Sequence, residues 1–347
     1  MGVENKNILI TGGCGFIGSN LVLHLAKKYP NYKLINLDLM TYASDASYLE
    51  SLKNNPNYIF AKGDIRDEKL VNELFNEHKI DSVIHLAAES HVDNSIKRPL
   101  DFVTTNVVGT CVLLEAFRNQ GNGRFHYVST DEIYGTLGAT GKFSENTPYD
   151  PNTPYSASKA AAEIAIASWR SSFCGDLNHQ TKFLDIATAR SGNVIGGGDW
   201  AKDRIIPDVV RALNNNSKVL VRNPKSTRPW QHVLDPLSGY LILAEMIFRS
   251  KDKTDNPYCT AFNFGPTLEA NKTVSNLENE IFKYWPGELE INIDGENFHE
   301  AVKLNLQVDK AHHLLNWRSK WNFEITVQKT IEWYKSFKEN PNSAFSY

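Results

Sequence analysis

The sequence predicts an α/β protein in which a doubly wound parallel sheet is accompanied by a smaller C-terminal lobe. In the first half, short apolar strands alternate with helical segments about five times, which is the pattern of a parallel sheet covered on both faces. A glycine-rich turn joins the first strand to the first helix, and polar residues end several strands. With 347 residues the chain is long enough for a large sheet domain and a second lobe.

Composition and cysteine spacing argue against several classes of function. Hydrophobic residues at 41% and charged residues at 22% are ordinary for a globular protein. The formal net charge of −3 gives no electrostatic reason to expect nucleic acid or an anionic membrane as a partner. The four cysteines are widely separated without a C-x-x-C pair, so we expect no zinc or other metal site. We see no membrane-spanning or signal segment and expect a cytoplasmic protein.

The first strand, residues 7–10, runs directly into the sequence TGGCGFIG. Here Gly12, Gly15 and Gly18 form a G-x-x-G-x-x-G pattern, and apolar residues at helical spacing follow, beginning with Phe16 and Ile17. A strand, a glycine turn and a helix in this order direct a helix N-terminus at a pyrophosphate. The segment therefore predicts a dinucleotide-binding turn.

The next three strands supply further residues for a dinucleotide. The strand at residues 33–38 ends in Asp38, about twenty residues after the glycine turn, where a carboxylate can bind both ribose hydroxyls of NAD. The strand at 58–62 is followed by Asp64 and Ile65, and the strand at 82–86 by two small alanines that leave room for a flat ligand. A long helix is predicted at 99–119. The candidate cofactor-binding residues are Gly12, Gly15, Phe16, Ile17, Gly18, Asp38, Asp64, Ile65, Ala87, Ala88, Asn106, Tyr155 and Lys159.

The central stretch, residues 123–159, carries the candidate chemistry. A buried strand at 124–129 is followed by Thr130, Asp131 and Glu132, at the sheet edge where open α/β proteins place reactive groups. A helix begins near Pro154 and stacks Tyr155 and Lys159, four residues apart, on one face. An ammonium beside a phenol favours the phenolate, so we expect Lys159 to lower the pKa of Tyr155 and make it a usable base.

The second half is less regular. We predict a strand at 185–191, a loop at 192–198, a strand at 262–265 and a helix at 326–337. Arg204, Arg222 and Arg228 lie among aromatic residues and prolines and are candidates for binding a diphosphate, because guanidinium groups match phosphate oxygens. Asp235 is interpreted as a helix N-cap. The adjacent His312 and His313 are a poor metal pair, since neighbouring residues point to different faces of a helix.

Taken together and in order, TGGCGFIG, Asp38, AAESHVD, VSTDEIYG and YSASK resemble the extended short-chain dehydrogenase/reductase family, and within it the nucleotide-sugar 4,6-dehydratases. The first half is similar to dTDP-glucose 4,6-dehydratases, whereas the second half is similar to CDP-glucose 4,6-dehydratases. The resemblance implies a Rossmann-type NAD-binding domain at residues 1–192 and 231–265 and a nucleotide-sugar-binding lobe at 193–230 and 266–347. The substrate-binding candidates are Ser90, Asn193, Arg204, Arg222, Arg228 and His299.

The resemblance also implies a role for each catalytic candidate. Tyr155, activated by Lys159, would take the proton of the sugar 4-hydroxyl while NAD oxidises C4, and Thr130 would hydrogen-bond that hydroxyl. Glu132 would then abstract the proton at C5, which the 4-ketone acidifies, and Asp131 would protonate the departing 6-hydroxyl. A neighbouring acid and base need environments that separate their pKa values. Family members of this type pair two helices of each subunit, so a homodimer is expected.

Several alternatives remain open at this point. The CDP-type enzymes usually carry lysine at the position of Glu132, so the two halves disagree about the nucleotide base of the substrate. A sugar-nucleotide 4-epimerase would share the fold, NAD, Thr130, Tyr155 and Lys159, but it needs no acid and base pair after the threonine. A non-catalytic sugar-nucleotide sensor would be expected to have lost part of this set, and every member is present.

We predict that the apo-protein binds NAD more tightly than NADP, because the Asp38 carboxylate binds ribose hydroxyls and repels a 2′-phosphate. Titration of the apo-protein with each dinucleotide measures the two dissociation constants. Equal or tighter binding of NADP would contradict the role given to Asp38.

Overall fold

The structure is a computed structural model that describes residues 6–121, 123–137, 141–174, 184–202, 204–221, 223–250, 256–291 and 304–340. Its strands are β1 (Asn7–Thr11), β2 (Lys33–Asp38), β3 (Tyr58–Lys62), β4 (Ser82–His85), β5 (Gly123–Thr130), β6 (Leu184–Ser191), β7 (Val194–Ile195), β8 (Val219–Val221), β9 (Thr227–Pro229), β10 (Gln231–His232), β11 (Ala261–Phe264), β12 (Asn271–Thr273) and β13 (Leu289–Ile291).

The α-helices are α1 (Phe16–Lys28), α2 (Glu68–His78), α3 (Val92–Lys97), α4 (Pro99–Val103), α5 (Thr110–Gln120), α6 (Pro154–Phe173), α7 (Ile205–Asn214), α8 (Leu234–Arg249), α9 (Val274–Tyr284), α10 (Asp309–Leu315) and α11 (Phe323–Glu339). Short 3₁₀ turns occupy Ala46–Leu52, Asp131–Tyr134 and Leu268–Ala270, and a π-helical turn occupies Thr104–Gly109.

Seven strands form the principal sheet in the order β11-β6-β5-β4-β1-β2-β3, and every neighbouring pair is parallel. The predicted doubly wound parallel sheet is therefore confirmed. The chain starts in the middle and grows toward β3 first and then, from β4, toward β11. Such a reversal of direction leaves a crevice at the carboxyl ends of β1 and β4, where these folds bind ligands.

Strand alternation divides the core between the two faces of the sheet. In β1, Ile8 and Ile10 pack on one face with helices α1, α8 and α10, whereas Leu9 packs on the other with α2, α5 and α6. This follows from the two-residue period of a strand. A third cluster joins α7, α9 and α11 in the C-terminal part of the chain, with Val209, Leu277 and Ile331 fully buried. The two-stranded pairs β7–β10, β8–β13 and β9–β12 lie outside the principal sheet.

The long helix predicted at 99–119 is present from Pro99 to Gln120, but a π-helical turn at Thr104–Gly109 interrupts its regular winding. Pro99–Gln120 is also long and apolar enough, by length and composition, to cross a membrane. Phe102, Leu113 and Phe117 on this helix are buried within the fold. Of its most apolar 18 residues, 44% are buried inside the fold.

Two local predictions need correction. Asp235 is not the N-cap of α8, because the helix begins one residue earlier, at Leu234. Its carboxylate instead accepts hydrogen bonds from the Ser319 hydroxyl at 2.7 Å and from the backbone amides of Lys320 and Trp321 at 3.0 and 3.3 Å. The predicted loop at 192–198 contains β7, which pairs in parallel with β10. Both differences come from contacts between distant segments, which local patterns do not contain.

Candidate active site

A cavity of about 650 Å³ opens at the carboxyl ends of the central strands. Nearly all of the predicted site residues line it, and the structure thus brings together segments from both halves of the chain. These lining residues are Gly12, Gly15, Phe16, Ile17, Gly18, Asp38, Asp64, Ile65, Ala87, Ala88, Ser90, Thr130, Asp131, Glu132, Tyr155, Lys159, Asn193, Arg204 and Arg228. Arg222 and His299 fall outside the described residues.

The glycine turn approaches the end of β4 more closely than any side chain would permit. Gly12 has a φ of +73°, and a Cβ atom on it would lie 2.7 Å from the backbone nitrogen of Ala87. A Cβ on Gly18 would lie 2.1 Å from the Gly12 carbonyl oxygen. Helix α1 begins after Gly15, which has no side-chain cap, so the first amides of the helix are available to an anion. This cradle fits the pyrophosphate of a dinucleotide.

The carboxylate of Asp38 is held at the end of β2 by three donors. It accepts hydrogen bonds from the backbone amides of Cys14 at 2.9 Å and Met40 at 2.8 Å, and from the Ser44 hydroxyl at 2.8 Å. These donors orient the carboxylate on the cavity wall. Burial, reinforced by the Asp38 charge, raises the pKa of the Cys14 thiol to about 12, so this cysteine is not a reactive thiolate.

Asn36 lies on β2 and binds the glycine turn, a contact that the sequence analysis missed. Its side-chain oxygen accepts from the Gly13 amide at 3.0 Å, and its side-chain nitrogen donates to the hydroxyl of Tyr58 at 3.0 Å. A polar residue in the middle of the apolar strand KLINLD was the available signal. Asn106, on the π-helical turn, lies behind the cavity, where it accepts from the Glu89 amide and donates to the Ser158 hydroxyl. It therefore supports the site from outside the cavity wall.

The acidic pair follows β5 on a short 3₁₀ turn. The Thr130 hydroxyl caps this turn by accepting from the Glu132 amide at 3.3 Å. Asp131 is 1% exposed, and its Oδ2 has no hydrogen-bond partner among the described residues. Burial raises the pKa of Asp131 to about 6, and the positive charge of Arg228 opposes the rise. A raised pKa is what the acid of such a pair requires, and this is the role that the resemblance implies for Asp131.

Asp131 also explains a glycine that the sequence analysis left in a loop. A Cβ atom on Gly192 would lie 1.9 Å from Asp131 Oδ2, so any larger residue at this position would displace the carboxylate. The position follows directly from β6, which pairs with β5 along its whole length. Gly192 is therefore required by the packing of the candidate acid.

Tyr155 and Lys159 lie on the first turns of α6, which begins at Pro154 as predicted. The Thr153 hydroxyl caps the helix together with Ser156. The ammonium of Lys159 donates to the Val128 carbonyl at 2.8 Å and lies 4.2 Å from the centre of the Tyr127 ring. Burial lowers the pKa of Lys159 to about 7.

The expectation that Lys159 lowers the pKa of Tyr155 is not met in this structure. Burial raises the pKa of Tyr155, and the negative charge of Glu132 raises it further. A hydrogen bond with Thr130 and the positive charge of Arg204 act in the opposite direction. The largest cause of the difference is the burial of the Tyr155 phenol, and the ammonium of Lys159 is directed at a backbone carbonyl of β5.

The two described arginines of the predicted trio lie on different parts of the wall. Arg204 donates to the Ser90 hydroxyl at 3.0 Å and pairs with Asp199 at 3.4 Å, and its charge acts on Tyr155. Arg228 is buried on β9, and its charge acts on Asp131. Each arginine therefore acts on a different candidate catalytic group, Arg204 on the phenol and Arg228 on the carboxyl.

The family model described as GDP-mannose 4,6 dehydratase matches residues 9–330. The chain belongs to the GDP-mannose 4,6-dehydratase family. Among its relatives, the CDP-glucose 4,6-dehydratase of Salmonella typhimurium is 38% identical to this chain, and the alignment covers 96% of this chain and 92% of that protein. The dTDP-glucose 4,6-dehydratase of Haemophilus influenzae is 34% identical, with 94% and 97% covered.

A solved structure of a related enzyme has the same fold as this chain. The dTDP-glucose 4,6-dehydratase of Bacillus anthracis, determined in complex with NAD, superimposes with a TM-score of 0.81 at 31% identity. The superposition covers 96% of this chain and 98% of the other. The predicted resemblance to nucleotide-sugar 4,6-dehydratases is confirmed.

Replacing Asp131 by Asn is expected to stabilise the folded protein at neutral pH. A folded-state pKa raised from 3.8 to about 6 means that the ionised carboxylate is unfavourable when buried, so wild-type stability falls as pH rises through this range. This ionisation destabilises the wild type by roughly 3 kcal/mol at pH values above the folded-state pKa. The destabilisation vanishes at pH values below the unfolded-state pKa of 3.8. Urea unfolding of both proteins at pH 4.5 and pH 7.5 measures the effect. A pH-independent difference would contradict it.

Proposed function

We propose that this chain is an NAD-dependent nucleoside-diphosphate-glucose 4,6-dehydratase, a hydro-lyase that converts an NDP-hexose into the NDP-4-keto-6-deoxyhexose. The observation that carries the proposal is the buried carboxyl of Asp131, next to Glu132 in the cavity that the Gly12–Gly18 turn and Tyr155 also line; burial raises its pKa to about 6. A 4-epimerase has no use for such an acid and base pair. The 38% identity to a CDP-glucose 4,6-dehydratase over 96% of the chain supports the same reaction.

The residues of the cleft fit NAD. The Gly12–Gly18 turn and the N-terminus of α1 would hold the pyrophosphate, and Asp38 would hold the adenosine ribose. Lys159, buried beside Tyr155, would reach the nicotinamide ribose. When bound, NAD supplies reversible oxidation, accepting the hydrogen of C4 and returning it to C6 of the same sugar.

The protein side chains supply the proton transfers. Tyr155 removes the proton of the 4-hydroxyl as C4 is oxidised, and Thr130 orients that hydroxyl. Burial raises the pKa of the Tyr155 phenol, whereas its hydrogen bond with Thr130 and the positive charge of Arg204 favour the phenolate that this step requires. Glu132 removes the proton at C5 while Asp131 protonates the 6-hydroxyl, which leaves as water. Glu132 finally returns its proton to C5. Across the cycle Tyr155 gains one proton and Asp131 loses one, so solvent exchange restores both groups.

The assembly and location of the protein are part of the proposal. We propose an NAD-binding domain at residues 1–192 and 231–265, a sugar-nucleotide lobe from the remainder, a cytoplasmic location, and no nucleic-acid or membrane partner. We also propose a homodimer. Ile164 on α6 is 61% exposed, and Val108 on the π-helical turn that precedes α5 is 48% exposed. An adjacent groove of about 320 Å³ contains Val112 and Trp169, and a second copy of these helices would cover it.

The dimer is tested by replacing Ile164, the most exposed large hydrophobic residue of α6, with Glu. A charge at a covered apolar contact is costly, so the variant should become monomeric while the wild type remains dimeric. Light scattering at micromolar concentration gives the two masses. A monomeric wild type would contradict the proposal.

Glu132→Gln is expected to separate oxidation from elimination. Glutamine keeps the volume but cannot accept the C5 proton, and loss of a general base costs about 10²–10⁴-fold. With substrate present, the variant should show the absorbance of reduced nicotinamide but release little 4-keto-6-deoxy sugar. Tyr155→Phe should block both steps and serves as the comparison. Product release by Glu132→Gln near the wild-type rate would show that another group is the base.

The nucleotide base is proposed to be cytosine rather than thymine. The segment from Asn193 to Gly239 resembles CDP-type enzymes, and this lobe is where the base and diphosphate are expected to lie. A mismatched pyrimidine edge leaves buried polar groups unpaired, which costs on the order of 1–3 kcal/mol. Comparison of kcat/KM for CDP-glucose, dTDP-glucose, UDP-glucose and GDP-mannose tests this. A tenfold preference for dTDP-glucose would reverse the assignment but leave the reaction unchanged.

A further inference from the structure

Arg190 is a buried cation directly behind the active site that none of the proposed steps uses. It lies in β6, where it is paired in register with Ser129 of β5, one position before the Thr130–Ser191 pair. Its side chain is 3% exposed, as is that of its ion-pair partner Glu163. A charge pair buried to this extent is costly to desolvate unless its geometry is well satisfied.

The guanidinium of Arg190 is satisfied almost completely. Its Nε and Nη2 donate to the two carboxylate oxygens of Glu163 at 2.9 and 2.7 Å. Nη1 donates to the Tyr134 hydroxyl at 2.5 Å, and Nη2 also donates to the Tyr149 hydroxyl at 2.7 Å. The planar guanidinium therefore fixes the orientation of each partner as well as its distance.

Two of these partners belong to the segments that carry the catalytic candidates. Glu163 lies one helical turn beyond Lys159 on α6. Tyr134 closes the 3₁₀ turn that begins with Asp131. Arg190 thus connects the helix of the tyrosine and lysine to the turn of the acid and base through one rigid group.

We propose that the Arg190–Glu163 pair is a positioning pair for the dehydratase reaction, holding α6 in register with the turn that carries Asp131 and Glu132. The inference rests on the proposed function, since the register between these segments matters when one substrate must meet both. A displacement of about 1 Å between reacting groups can cost about 10²-fold in rate.

Glu163 has a second effect, on the charge of Lys159. Burial disfavours the ammonium, and the negative charge of Glu163 on the same helix favours it. Among the described residues, the Tyr127 ring on β5 and His85 on β4 also face Lys159, and burial together with the Lys159 charge lowers the pKa of His85 to about 3. Neither of these supplies a negative charge at neutral pH, so the carboxylate of Glu163 supports the charged form of Lys159.

The positional part of the inference is tested with two isosteric variants. Tyr134→Phe and Tyr149→Phe each remove one phenol that binds Arg190, but only Tyr134 stands on the catalytic turn. Tyr134→Phe should lower kcat at least about tenfold with little change in KM, whereas Tyr149→Phe should stay within about threefold of wild type. Urea midpoints measured in parallel show whether stability changes equally. Equal kcat losses in the two variants, or none in Tyr134→Phe, would overturn the inference.

Arg190→Lys keeps the charge but removes the planar fork, and Arg170→Lys is its matched control. Arg170 joins the same helix to the same strand, donating to the Ile186 carbonyl at 2.9 Å and the Thr188 hydroxyl at 3.2 Å. Among the described residues, Arg170 makes no hydrogen bond to the turn that carries Asp131 and Glu132. We expect kcat to fall at least about tenfold in Arg190→Lys only. A similar fall in both variants would indicate a general packing effect and contradict the positioning role.

The electrostatic effect of Glu163 on Lys159 is tested by a measurement that does not require catalysis. NMR titration of protein labelled at the lysine side-chain carbon gives the pKa of Lys159, with the signal assigned by its loss in Lys159→Met. Glu163→Gln should lower that pKa, because the supporting negative charge is gone, and Arg170→Lys should leave it unchanged. An unchanged pKa in Glu163→Gln would refute this part. A wild type that makes no 4-keto-6-deoxy sugar from any NDP-hexose would instead refute the proposed function.

Discussion

The parallel pairing of β5 between β4 and β6 is the constraint on which the site depends. Because the three strands run in the same direction, their carboxyl ends meet at one edge and bring Ala87, Thr130 and Gly192 together. The adjacent pairing of β4 with β1 adds the glycine turn. No segment of the site is close to all the others along the chain, so the sheet alone makes them neighbours.

Burial then sets the protonation states. The same desolvation that raises the pKa of Asp131 to about 6 lowers that of Lys159 to about 7. Both shifts move the group toward its neutral form, since the interior disfavours either charge. Nearby opposite charges oppose each shift, Arg228 for the acid and Glu163 for the amine. Burial and the neighbouring charges therefore act in opposite directions on the pKa of both groups.

The supporting residues differ from the reactive ones in the way they are satisfied. Arg190 and Glu163 have their polar atoms matched by several partners, whereas Asp131 Oδ2 has none among the described residues. A fully satisfied buried network is rigid, and an unsatisfied buried carboxylate is costly to the fold but free to exchange a proton with a ligand. The unsatisfied carboxyl of Asp131 thus lowers the stability of the fold, whereas the satisfied groups Arg190 and Glu163 hold the reactive segments in place.

The sequence by itself determined the order and type of the main elements and most of the cavity wall. Strands, the Gly12–Gly18 turn and the start of α6 at Pro154 follow from local periodicity and capping, which act over a few residues. Tertiary structure decided the rest. Arg190 meets Glu163 from 27 positions away and Asp235 accepts from a segment more than 80 positions on, and the Lys159 ammonium turns to Val128 rather than acting on Tyr155. Hydrogen bonds and charges between distant segments depend on which strands become neighbours, and no local pattern records that pairing.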